Sequence, residues 1–178
     1  ADNTALPGCD LDRLIDGGDP SVCPKGSIVG SGRTINRVGV AADPADESLY
    51  CYLTVTLINS TRRGHLLIHY KGVQSDPDPQ KQCAIQVSEA IDATFTSRGG
   101  GTVLQFTVPD NLLHPASLDN AVTDVRARID KRVVTRKGKR VALLAAYRCV
   151  RNATPLTVSF TPESGGPVAT AKTVARCN

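Results

Sequence analysis

Short runs of alternating apolar and polar residues recur along this chain. They are rich in β-branched side chains, and Gly, Pro, Asn or Asp punctuates them. The runs are SIVGSGRTINRV (27–38), YCYLTVTLIN (50–59), HLLIHYKG (65–72), IQVSEAIDATFTS (85–97), TVLQFTVP (102–109), VTDVRARIDKRVV (122–134), RVALLAAYRCV (140–150), LTVSFT (156–161) and VATAKTVA (168–175). Closely spaced strands of this kind predict an all-β fold, an antiparallel β-sandwich (Ig-like or related) of about nine strands. CDLDRLIDGG (9–18) is the exception. Asp10 can cap a short helix there, Leu11, Leu14 and Ile15 form its apolar face, and Gly17 stops it. The 178 residues suit one domain. The expected organisation is an N-terminal extension with the helix (1–22) and a single sandwich (23–178).

The densest charge run, KRVVTRKGKR (131–140), holds six cations and no acid, so the rest of a chain of net charge +4 sums to −2. The basicity is therefore local. With Thr135 and Lys139 closing a three-residue loop around Gly138, Val133 faces Val141 and Val125 faces Cys149. One face is then almost wholly apolar, interrupted by Lys131, whose stem can lie on it. The opposite face carries Arg126, Arg128, Arg132, Arg140 and Arg148, with Asp124 and Asp130 among them. A planar guanidinium fork suits carboxylate, phosphate or sulfate, so this face is the candidate site for an anionic partner. The plainer alternative is a solvated face whose charges guard against edge aggregation. Changing Arg126, Arg128, Arg140 and Arg148 is expected to weaken anion binding more than changing Arg13, Arg33, Arg62 and Arg63.

Six cysteines, Cys9, Cys23, Cys51, Cys83, Cys149 and Cys177, without CxxC spacing read as disulfides in an oxidising compartment. Cys149 and Cys177 fall at one end of the last three strands and are expected to pair. The other four allow Cys9–Cys23 with Cys51–Cys83, or Cys23–Cys51 with Cys9–Cys83. No apolar run reaches the roughly 18 residues of a membrane span. The chain lacks Met and begins Ala1-Asp2-Asn3, which suits a mature product cut after export. The expected location is secreted, extracellular or in the cell envelope.

Chemical motifs are scarce. His65 and His69 have helical zinc spacing without the following Glu. On a strand they would sit about 13 Å apart on one face, too far for one metal. His114 approaches a turn. There is no GxSxG elbow, P-loop or dinucleotide fingerprint. GSGRT (30–34) reads as a strand with a bulge. The acidic loops match no EF-hand, and turn chemistry accounts for them. Asn59-Ser60-Thr61 and Asn152-Ala153-Thr154 are formal glycosylation sequons. At 4% aromatic and without Trp, the chain offers few stacking platforms for sugars or single-stranded nucleic acid. No metal, cofactor, catalytic residue or nucleic-acid partner is expected.

CPKGSIVGSG (23–32), LLHPASLDNAVTDVRARI (112–129), KGKRVALLAAYRC (137–149) and the closing VARC (174–177) together resemble uncharacterised secreted β-rich proteins of high-GC actinobacteria. The resemblance covers roughly residues 23 to 177. It implies export, the β fold and the Cys149–Cys177 bond, and it brings no activity. The segment before Cys23 departs from it. Three functions follow in order. The first is a non-enzymatic extracellular structural or assembly protein that contacts itself head to tail through acidic N-terminal and basic C-terminal surfaces. The second is a secreted binding module for anionic polymers or acidic proteins. The third is an exported hydrolase with a scattered site.

Overall fold

The computed structural model describes residues 4–39, 49–74, 82–83, 85–98, 101–143, 153–163 and 165–176. The fold is all-β with short helices, as the alternation predicts. Helix α1 (Leu11–Gly17) precedes five strands: β1 (Ile28–Gly39), β2 (Leu49–Asn59), β3 (His65–Gly72), β4 (Val87–Arg98) and β5 (Gly101–Gln105). A short helix α2 (Asp110–Leu113) and a 3-10 turn lead into β6 (Asp119–Ile129). Two ribbons follow, β7 (Val133–Arg136) with β8 (Lys139–Ala142), and β9 (Ala153–Phe160) with β10 (Ala169–Arg176).

The six longer-range strands form one curled antiparallel sheet in the order β5-β4-β3-β2-β1-β6. Strands β1 to β5 meander, and β6 returns to lie beside β1. Residues paired across neighbouring strands share a face. The inner face carries rows such as Gly30–Leu57–Ile68–Ile91 and Thr34–Leu53–Gly72–Val87. These rows build the main core with Val55, Leu66, Leu112 and Leu143. Each large apolar side chain buried there contributes about 1.5–3 kcal/mol. On the outer face Ile58 and Leu67 meet Leu14 and Cys9 in a second, smaller core beneath α1.

Asp10 caps α1 as expected, its carboxylate accepting from the amides of Asp12 and Arg13. Gly17 is the last helical residue, and the left-handed stop is Gly18 at φ 59°. Leu14 is buried, whereas Ile15 is 55% exposed and is no part of the packed face. The N-terminal segment is stitched to β2. The Cys9 amide donates to the Asn59 carbonyl at 2.8 Å, and the Thr61 amide to the Cys9 carbonyl at 3.0 Å. Asn59 is fully buried, and its side-chain amide donates to the carbonyls of Leu6 and Pro7. That sequon is therefore closed to a glycan in the folded chain, while Asn152 lies outside the described residues.

Two disulfides form, Cys9–Cys23 and Cys51–Cys83, the local pair of the two connectivities left open by the sequence. By loop-closure entropy they contribute about 3 and 4 kcal/mol respectively. Cys149 and Cys177 lie outside the described residues. The chain divides into two compact units, Ala1–Leu143 and Leu144–Asn178, so the helical segment belongs with the six-stranded sheet.

The register of the basic hairpin differs from the expected one by a residue. Arg136 pairs with Lys139, Thr135 with Arg140 and Val134 with Val141, so the loop is the two residues Lys137 and Gly138. Both have positive φ, 49° and 73°, as a type I′ turn requires. The run 122–134 is also not one strand. It breaks after Ile129, where β6 ends against β1, and only residues 133–136 join the ribbon.

In the second unit, β9 and β10 form a hairpin in which Val158 pairs with Ala171 and Leu156 with Thr173. One of its faces carries Leu156, Val158 and Phe160, all at least 39% exposed.

Candidate interaction face

Two glycines on β1 bring β6 into place. A Cβ on Gly30 would stand 2.3 Å from the Arg128 carbonyl oxygen, and one on Gly32 would stand 2.3 Å from that of Arg126. Only glycine allows that approach. The GSG stretch is thus a strand with a register shift between Ile28 and Gly30, as expected, and also the seat of β6. The other end of β6 is pinned by side chains. His114 and Asp119 pair at 2.9 Å, the Asn36 amide donates to Asn120 at 2.9 Å, and the Asn120 amide donates to the Leu112 carbonyl at 2.6 Å.

That register sets Arg126 directly opposite Arg33, and Arg128 opposite Ser31. Arg33 pairs across to Thr54, while Arg37 pairs with Tyr50. All point to the outer face, along rows that α1 does not cover. The Arg37 guanidinium stands 5.9 Å from the Tyr50 ring centroid, and the Tyr50 and Tyr52 rings stack at 6.3 Å. The result is a shallow basic and aromatic surface over β6, β1 and β2. Among the described residues its acids are Asp124 and Asp130, each 3.1 Å from the Nε of Arg126 and Arg128 respectively. Those arginines remain 70% and 79% exposed, so the pairs hold them weakly. Like charges set directly opposite each other, as Arg33 and Arg126 are, cost stability.

The five arginines expected to share one hairpin face therefore separate. Arg126 and Arg128 stay together on the large sheet. Arg132 donates through Nη2 to the Ile28 carbonyl at 3.0 Å, holding the bend after β6. Arg140 lies exposed on the β7–β8 ribbon, and Arg148 is outside the described residues. Arg33, expected to be a bystander, joins the face, as does Arg37. No local pattern marks them, because β1 and β6 meet across about ninety residues of chain. The one available signal is the GSG pair of glycines, which announces a close neighbour without naming it.

The histidines are all engaged. His65 Nδ1 bonds one oxygen of Asp92 at 2.8 Å, and Arg62 bonds the other at 2.5 Å. His69 is buried, with Nε2 3.2 Å from the Ser88 hydroxyl. That hydroxyl donates its single proton to the Gly18 carbonyl at 2.7 Å. His69 must then donate to Ser88, the reverse of what a base would do for a serine nucleophile. The nearby Asp19 is spent on the Lys71 ammonium at 2.6 Å and the Ser21 amide at 2.9 Å. Lys71 and the backbone amide hold the Asp19 carboxyl well below the usual carboxylate range. A surface groove of about 550 Å³ runs along β4 between Thr94, Thr96 and Phe106, and its acid, Asp92, already holds Arg62 and His65.

Compared with protein-family models, with curated proteins and with solved structures, the chain matches none.

Proposed function

We propose that this chain is a non-enzymatic extracellular structural or assembly protein that works through protein–protein contacts, as a subunit of a cell-surface or extracellular polymer. The observation that carries the reading is the outer face over β6, β1 and β2. Four exposed arginines and two tyrosines share it, and two arginines stand directly opposite each other at a cost to the fold. Enrichment of Arg and Tyr characterises surfaces that anchor partners. Two disulfides, and no helix among the described residues long and apolar enough to cross a membrane, accord with an exported protein.

A binding module for anionic polymers or acidic proteins is the second reading, favoured by the same arginines. Sedimentation of the purified protein at low and high salt separates the two. The assembly reading expects concentration-dependent association at low salt that recedes at high salt, because exposed charges are screened within about 10 Å at 0.1 M. A monomer under both conditions overturns it and leaves the anion-binding module.

A further inference from the structure

We infer that the arginine–tyrosine face receives helix α1 of a second copy of this chain. The inference rests on the assembly reading and names its partner. Unit 1 presents two surfaces on the same side of its sheet. Helix α1 covers the β3–β4 half and the end of β2, through Leu14 packed on Ile58 and Leu67. Its opposite side is bare. At 100° per residue, Asp12 and Asp16 lie one turn apart there, with Ile15 beside them at 55% exposure. Arg13 flanks this stripe, and Asp10 is occupied as the helix cap. The stripe is thus two carboxylates with one unpacked aliphatic side chain to one side of them.

The other half of the face is its complement. Arg37 stands opposite Tyr50, which is 55% exposed, and Tyr52 lies in the next row; Arg33 and Arg126 form the row beyond it, and Arg128 the row after that. The Asp12 and Asp16 carboxylates suit the guanidinium forks of Arg33 and Arg126, each of which can take a carboxylate oxygen pair, and the isoleucine beside them suits the tyrosine end of the face. Pairing the face with itself is electrostatically disfavoured, since its four arginines outnumber Asp124 and Asp130. Contact between α1 of one copy and the arginines of the next uses two different surfaces, and repeats of it build a head-to-tail chain. A helix of seven residues is only about 10 Å long. Its footprint falls short of the roughly 1,200 Å² of a standard stable interface, so each contact is weak and salt-sensitive.

Mixing two neutralised variants tests this. Asp12→Asn/Asp16→Asn keeps the arginine face and removes the acidic stripe. Arg33→Gln/Arg126→Gln keeps the stripe and removes half of the arginines. All four side chains are exposed, and melting curves check that both variants fold. Each alone is expected to lose self-association by roughly tenfold or more. Mixed at low salt in sedimentation velocity, they form a 1:1 complex that does not extend, because each contributes the one surface the other lacks. Ile15→Ser, with all charges kept, also weakens wild-type assembly. Wild-type-like association of either double variant alone, or a mixture that stays monomeric while the wild type assembles, overturns the inference and leaves the assembly reading standing. A wild type that is monomeric at low salt removes both.

Discussion

His69 shows how one side chain can make the fold sensitive to acid. It is buried on β3 where α1 ends, and the charged groups around it are Asp19 and Lys71. Burial pushes its pKa below the ordinary 6.5, Asp19 pulls it up and Lys71 pushes it down. The unfolded chain therefore takes a proton near pH 6.5 that the folded chain resists. Stability falls as pH drops below about 6.5 and levels off below the folded pKa, by at most about 1.4 kcal/mol per pH unit for one proton. His69→Gln should flatten the melting temperature between pH 7 and 5. An unchanged acid slope in that variant places the sensitivity elsewhere. Asp19 acts in a lower window. Its lowered pKa supports the fold above the usual carboxylate range, and that support is lost as the carboxyl protonates at lower pH.

At the scale of elements, the contact of β1 with β6 decides where the arginines go. Gly32 leaves room for the Arg126 carbonyl, and a methyl group there would collide with backbone rather than with a movable side chain. Gly32→Ala should force the two strands apart and cost about 1–3 kcal/mol, as overpacking does. Urea denaturation reads this directly, and a neutral result would mean that β6 is not seated as described. The strands were legible in the sequence because alternation and turn residues act over a few positions. The β7–β8 register was not, because Lys137 takes a left-handed conformation that the sequence assigned only to Gly138. A lysine at positive φ carries no compositional flag, and the loop shortened by one residue in consequence. The β9–β10 hairpin keeps its expected alternation, with Leu156, Val158 and Phe160 on one face. A two-stranded ribbon is marginal alone.

For the whole molecule, charge layout matters more than net charge. Replacing Arg33, Arg37, Arg126 and Arg128 with Gln removes four charges from one face. Replacing Arg13, Arg63, Arg98 and Arg140 removes four charges that are exposed but dispersed. The first variant should elute from an anionic resin at clearly lower salt than the second, since clustered charge focuses the field. Equal elution would show that total charge alone governs retention.

The sequence by itself determined the fold class, the short helix with its Asp10 cap, the short list of disulfide pairings and the presence of a local basic excess. Each of these follows from spacing, composition or neighbours a few residues apart. Tertiary structure alone decided which arginines share a face. Arg33 and Arg126 are ninety-three positions apart, and they meet because Gly30 and Gly32 admit β6 against β1. Strand pairing over such a distance depends on loop closure, on the close approach of two backbones and on which strand reaches the open edge. None of these is written in the alternation of either strand alone.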